Sequence, residues 1–275
     1  MSRGFFQFDF SLLRPISAFA LMGLLLCLEW RLPFRVPLQA KYRHAVTNLV
    51  IGGTNAIVVN LLMGGLLLFL ISQVETRGWG LLPHFELGLL VNIAASVVLL
   101  DLIFYGFHWA NHHVPFLWRF HRAHHSDLDL DVTTSQRFHI GEVLISTLIK
   151  VAAISALGVS WLGLVMFEVV LQAATQFQHS NLGLPAPLDK GVRLLLVTPH
   201  MHWIHHSSHP REHNANFGTI LSVWDRLFGT YFIQTAQEEI RVGLEQYPSL
   251  EQVGLFRFLG MPLAAACQPG PYGPP

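Results

Sequence analysis

Long stretches of the sequence carry almost no charge, and they alternate with shorter polar segments. A helix needs about 20 predominantly apolar residues to cross the hydrocarbon core of a membrane. Four such stretches occur, at residues 15–28, 44–74, 87–100 and 143–175. Only the second exceeds that length without any Asp, Glu, Lys or Arg. The fourth is interrupted only by Lys150 and Glu168.

These stretches predict about four transmembrane helical segments. The first and third reach spanning length when Trp30 and Tyr105 are counted as interfacial ends, and the third continues past Asp101. The fourth, with 33 residues, is long for one crossing. Gly158 and Ser160 lie near its middle, which favours a bent pair of half-helices that enters and leaves on one side.

The composition points in the same direction. The chain has 275 residues, of which 52% are apolar and 12% charged, with a mean hydropathy of +0.43. Soluble domains average about 25% charged residues. A net charge of zero and so few charges disfavour a disordered chain, a coiled coil and a nucleic-acid-binding protein. The first apolar run is not followed by a small-residue cleavage site, so it is predicted to be a membrane anchor rather than a signal peptide.

The distribution of Lys and Arg predicts the orientation. These residues are frequent after the first and third stretches and sparse after the second. The corresponding links, and the polar regions after residue 107, are therefore expected on the cytoplasmic side. The Pro- and Gly-rich residues 261–275 are expected to be loose. The predicted architecture is an all-α integral membrane protein with a cytosolic helical cap.

The 16 histidines are the most unusual feature of the composition. Eight of them form three clusters with the spacings H-x3-H, H-x2-H-H and H-x2-H-H. Residues i, i+3 and i+4 share one face of a helix, so each cluster can direct imidazoles at a common point. The clusters are His108 and His112; His121, His124 and His125; and His202, His205 and His206.

Eight clustered histidines are too many for one metal ion. A tetrahedral zinc ion takes four ligands, so eight suit two ions. Adjacent residues such as His124 and His125 point about 100° apart on a helix, which lets them serve different ions. Imidazole suits Fe, Zn, Cu and Ni. With only two cysteines in the chain, a cysteine-rich metal site is excluded.

Several other polar residues are predicted to have structural roles rather than to bind a metal. Asp127, Asp129 and Asp131 alternate with leucines and are predicted to be solvated, although an acidic metal loop is the alternative. The isolated histidines His44 and His84 are predicted to be residues satisfied by ordinary hydrogen bonds.

The ordered series of motifs resembles the fatty acid hydroxylase and sterol desaturase superfamily of integral-membrane, non-haem di-iron enzymes. The resemblance covers roughly residues 89–231, about half of the chain. The segments that carry it, besides the histidine clusters, are Asp101–Tyr105, Leu117–Ser126, Arg137–Glu142, Phe177–Asn181, Thr198–Pro199, Asn216–Gly218 and Trp224–Thr230.

The resemblance implies a set of metal ligands and neighbouring residues. It implies His139 and His179 as further ligands or as partners of ligands, and Asp225 near the site in an ion pair with Arg226. No catalytic residue beyond the ligands is implied. The implied ligands of the two iron ions are His108, His112, His121, His124, His125, His202, His205 and His206.

The resemblance also implies an activity. Such an enzyme would use O2 to oxidise an unactivated C–H bond of a fatty acyl, sterol or isoprenoid lipid, giving hydroxylation or desaturation. Electrons would come from a separate donor of the ferredoxin, cytochrome b5 or reductase type, and zinc could replace iron on overexpression. A bacterial inner membrane is the expected location.

The expected domain organisation has three parts. Residues 1–88 would form N-terminal transmembrane helices, and residues 89–235 the catalytic region. Residues 236–275 would be a partly disordered extension.

Two other functions remain open from the sequence. A membrane zinc hydrolase would need an open metal position and a general base. Glu142 could be that base, but the HExxH signature is absent. A metal transporter would place its site near the bilayer midplane, whereas these clusters lie at or beyond the ends of the apolar stretches.

Overall fold

The structure is a computed structural model that describes residues 13–233, 236 and 239–264. These residues form helices, turns and three isolated bridges, without a β-strand. Short 3-10 helices occur at Leu82–Phe85, Val132–Gln136, Leu250–Val253 and Met261–Leu263. The α-helices are α1 (Leu13–Arg31), α2 (Lys41–Arg77), α3 (Leu89–His113), α4 (Pro115–His125), α5 (Ile140–Leu157), α6 (Trp161–His179), α7 (Ala186–Val192), α8 (Pro199–His205), α9 (Pro210–His213), α10 (Val223–Leu227) and α11 (Leu255–Gly260).

Three segments of the described chain are long and apolar enough to cross a membrane. They are Lys41–Phe85, which contains α2, and the helices α3 and α5. Neither α1 nor α6 is among them, so a total of about four crossings stays a prediction. Ile57 and Leu61 on α2 and Leu90 on α3 are largely exposed, as side chains that face lipid would be.

The apolar core lies between α2, α3, α5 and α6. It contains Leu100 and Phe104 from α3, Ile154 from α5 and Phe167 from α6. Ile71, near the end of α2, packs into the same cluster. Helix α6 also packs against α1, so the helices form one bundle.

The hairpin predicted within residues 143–175 is present as α5 and α6. Gly158 ends α5 with φ = +70°, and a Cβ atom there would clash with the carbonyl oxygen of Trp79. Ser160 then caps α6 by accepting a hydrogen bond from the Gly163 amide. Lys150 and Glu168 form an ion pair that joins the two helices. The hairpin returns the chain to the end of the bundle where the histidines lie.

Helix α2 is longer than one crossing requires. Its 37 residues extend roughly 55 Å at 1.5 Å per residue, against about 30 Å of hydrocarbon. The first turns carry buried polar side chains, including His44, Asn48 and Asn55, that contact residues 127–138. Helix α2 therefore combines a membrane span with a polar extension that supports the histidine site.

The stretch 261–275 was expected to be loose, but its first two residues, Met261 and Pro262, are buried. Met261 is 3% exposed, and its carbonyl oxygen accepts a hydrogen bond from the buried guanidinium of Arg122. The carbonyl oxygen of Ala264 accepts a second one at 2.8 Å. A buried guanidinium needs acceptors, and these carbonyls supply them. Residues 265–275 lie outside the described part of the chain.

Candidate metal centre

Four helices bring the predicted histidines to one end of the bundle. The last two turns of α3 carry His108 and His112, and the last residue of α6 is His179. Helix α4 begins at Pro115 directly after α3 and supplies the second cluster. Helix α8 is capped by Thr198 and supplies the third. All three clusters therefore meet, as their helical spacing predicts.

The histidines form two groups of candidate ligands. Within each group the nearest ring nitrogens all lie within 4.8 Å of one another, and every member is buried. Adjacent histidines fall into different groups, as the divergence of neighbouring side chains on a helix predicts. The five-histidine group contains His108, His112, His121, His125 and His205, and the four-histidine group contains His124, His179, His202 and His206.

Hydrogen bonds fix the tautomer of five of these nine rings. In each ring Nδ1 lies within 3.1 Å of an oxygen that can only accept, so Nδ1 carries the proton. Nε2 of these rings is therefore an unprotonated donor atom for a metal, an arrangement common among metal-binding histidines. The pairs are His108 with Phe217 O, His121 with Glu142 Oε1, His124 with Arg137 O, His179 with Thr175 O and His205 with Ala215 O.

The distances between Nε2 atoms show that these residues fit metal ions. Nε2 of His179 lies 3.0 Å from Nε2 of His124 and 3.0 Å from Nε2 of His202. The two nitrogens of the first pair are both unprotonated, so their lone pairs would repel without a cation between them. Neither ring nitrogen of His112, nor Nε2 of His205, has a hydrogen-bond partner in the described chain. Buried polar atoms without partners are uncommon, and metal coordination would satisfy these.

The electrostatics keep the rings neutral, which is the state that a metal ligand requires. Burial disfavours the charged imidazolium, and the neighbouring histidines disfavour it further. Together they lower the pKa of five candidate ligands, two on α4 and three on or directly after α8, well below the usual value. The affected residues are His124, His125, His202, His205 and His206.

Two residues implied by the family resemblance lie outside both groups. His139 caps α5, because its Nδ1 accepts a hydrogen bond from the Gly141 amide at 3.0 Å. Asp225 accepts hydrogen bonds from the amides of Phe217 and Gly218 at 2.7 and 3.0 Å, and burial raises its pKa to about 6. Asp225 thus holds the backbone at Phe217, whose carbonyl group orients His108.

The expected ion pair between Asp225 and Arg226 is not formed. The Arg226 guanidinium donates to the carbonyl oxygens of Ser222 and Arg193 at 3.0 and 2.7 Å. It also lies over the ring of Tyr231. Adjacent side chains on a helix do not face each other, so Arg226 binds these carbonyl groups instead of the buried carboxylate of Asp225.

Comparison with known proteins places the chain in a family. Residues 93–230 match the family model of the fatty acid hydroxylases, which is half of the chain. The chain belongs to the fatty acid hydroxylase family. All nine candidate ligands lie inside the matched region, whereas the polar extension of α2 lies outside it.

Several known proteins are similar in sequence to this chain. The ornithine lipid hydroxylase of Rhizobium tropici is 32% identical over 146 residues, covering 51% of this chain and 41% of the relative. Alkylglycerol monooxygenase of Xenopus tropicalis is 29% identical, with 52% and 31% covered. Human cholesterol 25-hydroxylase is 28% identical, with 56% and 57% covered. The matches thus span 31–57% of these relatives, and no solved structure matches significantly.

A buried hydrogen-bond network that was not predicted from the sequence lies beside the histidine groups. His44 donates from Nδ1 to Asp131 at 2.9 Å and from Nε2 to Asp127 at 3.0 Å. Burial favours the neutral form of Asp127, but the charges of His44 and Arg137 outweigh it and lower the pKa of that carboxyl to about 2. The prediction that the three aspartates are solvated is therefore wrong for Asp127 and Asp131. The half-buried Asp129 accepts from the Leu38 amide.

His213 is a second residue whose position the sequence did not indicate. Its ring stacks on Trp118 at a centroid distance of 5.3 Å, beside His112 and His125 of the five-histidine group. It is buried but lies too far away to join that group. The isolated histidine His84, in contrast, lies exposed in the short 3-10 helix before α3.

Glu142 is the side chain whose removal should weaken the five-histidine group. Its Oε1 accepts from Nδ1 of His121 at 2.8 Å and from Asn111 at 3.2 Å. Glu142→Ala is expected to lower zinc affinity about 10- to 100-fold, because loss of such a partner frees the ligand ring. Competition with a chelator of known affinity measures the change. Glu251→Ala, at an exposed site, is the control, and equal affinities in the two variants would contradict the assigned role of Glu142.

Proposed function

We propose that this chain is an O2-dependent lipid hydroxylase or desaturase in which each histidine group holds one iron ion. The observation that carries the proposal is the pair of adjacent, buried groups of neutral imidazoles with inward-facing Nε2 atoms. Nine imidazole nitrogen ligands suit iron or zinc. Membership of the fatty acid hydroxylase family and the names of the similar oxygenases favour iron and a lipid substrate.

The side chains of this protein would hold the two ions in position. His108, His112, His121, His125 and His205 would hold one ion, and His124, His179, His202 and His206 the other. Two Fe ions with O2 would supply the oxidising chemistry for an unactivated C–H bond. The backbone carbonyls and Glu142 hold the Nδ1 protons outward, so the rings keep their orientation. Phe217 and Trp118 pack against His112 and limit access of water.

We propose a class of lipid, not a single compound, as the substrate. The three similar proteins are named for an ornithine lipid, an alkylglycerol and cholesterol, which share an apolar hydrocarbon portion. An acyl, sterol or isoprenoid lipid of the surrounding membrane fits this class. A separate ferredoxin, cytochrome b5 or reductase would supply electrons. We propose that the histidine site lies on the cytoplasmic side of a bacterial inner membrane; the Lys and Arg bias supports the cytoplasmic side.

Labelled oxygen tests the proposed function directly. The protein, expressed with iron supplementation, is incubated with membrane lipids, an electron donor and 18O2, and the lipids are analysed by mass spectrometry. Hydroxylation is expected to add one labelled oxygen, and desaturation to remove two hydrogens. Removal of the metal with a chelator should abolish both, and Fe(II) should restore them. Lipid turnover that continues without O2 in a zinc-loaded sample would contradict the proposal and indicate a hydrolase.

A further inference from the structure

An exposed apolar surface lies outside the three candidate membrane spans. Its residues come from the segment after α7 and from the helix α10 and its end. Their exposed fractions range from 38% for Leu196 and Val223 to 66% for Leu194 and Leu227. Contiguous apolar surface of this kind on a folded protein marks an interaction site. The residues, called here the leucine face, are Leu194, Leu195, Leu196, Val223, Leu227 and Phe228.

The leucine face is attached to the middle of α3. Asp101 accepts hydrogen bonds from the Leu221 amide at 3.1 Å and from Nε1 of Trp224 at 2.8 Å. Leu196 pairs with Leu221 in an isolated bridge. The ring of Phe228 stacks on Tyr105 of α3 at a centroid distance of 5.2 Å. These contacts hold the face at the level of α3 between Asp101 and Tyr105.

That level lies within the depth of a bilayer. Asp101 and Tyr105 follow Leu89, the first residue of α3, by 12 and 16 residues, or roughly 18 and 24 Å along the helix axis. The hydrocarbon core is about 30 Å thick. Ile220, next to the Asp101 contact, packs into the apolar core between the spanning helices. A surface fixed at this depth and open to the outside faces acyl chains.

The backbone of the leucine face suits an apolar solvent. Irregular segments are disfavoured in lipid unless their amide and carbonyl groups are paired internally. Here the amides of three successive leucines and of Ser222 donate to nearby carbonyl oxygens. The Arg193 carbonyl accepts from Ser222 Oγ and from Arg226. The amide pairs are Leu194 with Gly191, Leu195 and Leu196 with Val192, and Ser222 with Leu195.

Positive side chains border this face. Lys190, four residues before Leu194, and Arg226, next to Leu227, are both exposed. Basic residues next to an apolar surface are attracted to anionic lipid headgroups. We propose that the leucine face lies in the leaflet nearest the histidine site, in contact with acyl chains, with Lys190 and Arg226 at the headgroups. Lipid, rather than a second copy of the chain, covers the leucine face. The face lies at the same depth as the exposed surface of α3, and its basic residues extend that surface towards the headgroups.

Spin labels test this placement. Cys27 and Cys267 are replaced by serine, and single cysteines are introduced by Leu195→Cys or Leu227→Cys. The full chain is reconstituted into vesicles of neutral and anionic phospholipids. Collision of the label with O2, which partitions into lipid, is compared with collision with a water-soluble nickel chelate. Leu90→Cys on α3, which is 79% exposed, is the lipid reference, and Glu251→Cys is the water reference.

The expected result is that both labels favour O2 over the nickel chelate, as the label at Leu90→Cys does. A preference for the nickel chelate, as at Glu251→Cys, would overturn the proposal. Protection from both reagents would also overturn it and would indicate that a second protein chain covers the face. Metal content equal to that of the unlabelled chain verifies folding, and Leu194→Cys replaces either variant that fails this check. The result is independent of enzymatic activity.

Discussion

Replacing His124 with alanine is expected to lower the metal content of the purified protein from about two ions per chain to about one. His124 belongs to the four-histidine group, so its loss leaves three candidate ligands there. His125→Ala leaves four in the neighbouring group, enough for a tetrahedral ion. That variant should therefore keep both ions and release one of them more readily to a chelator. Elemental analysis by mass spectrometry measures both outcomes.

A matched histidine outside the two groups provides the control. His113 is exposed, and its Nδ1 is hydrogen-bonded to the carbonyl oxygen of Trp109. His113→Ala should keep both ions and the full rate of lipid oxidation, whereas His124→Ala should show no oxidation. Two ions retained by His124→Ala, or one lost from His113→Ala, would refute the division of ligands between the groups.

His44→Ala is expected to reduce the free energy of unfolding by about 3–5 kcal/mol, because it leaves two buried carboxylates without their shared partner. Asp127 is 1% exposed and Asp131 3%, so water cannot replace the imidazolium without opening the structure. The measurement is denaturant-induced unfolding in detergent. The loss should appear without metal as well, because His44 is not a candidate ligand.

His84→Ala is the matched control for that experiment. His84, which was grouped with His44 as an isolated histidine in the sequence, is exposed in the short 3-10 helix before α3. Surface substitutions usually change stability little, so this variant should unfold at the same denaturant concentration as the parent chain. Equal stability of the two variants would show that the carboxylates find other partners when His44 is absent.

The arrangement of the histidines was predictable because it depends on local geometry. Spacings of three and four residues place side chains on one face of a helix, and α3, α4 and α8 are helical where the clusters lie. The division between groups follows from the divergence of neighbours such as His124 and His125. The hairpin of α5 and α6 was predictable for a similar reason, since Gly158 interrupts an apolar stretch.

The polar support around the site was not predictable because its contacts are distant in sequence. His44 lies 83 and 87 residues before its partners Asp127 and Asp131. A single sequence contains no local signal for such pairing, and aspartates that alternate with leucines are typical of a half-exposed segment. The packing of Met261 could not be predicted for the same reason, because it depends on Arg122, which lies 139 residues earlier.

Four of the five Nδ1 protons in the metal centre are held by main-chain oxygens, those of Phe217, Arg137, Thr175 and Ala215. A carbonyl group is present whatever side chain stands at that position. Substitution at these four positions can therefore leave the protonation pattern intact as long as the local backbone keeps its path. The residues at these positions can therefore differ between members of this family while the coordination chemistry stays constant. Glu142 is the exception, because there the side chain itself accepts the hydrogen bond and must be kept.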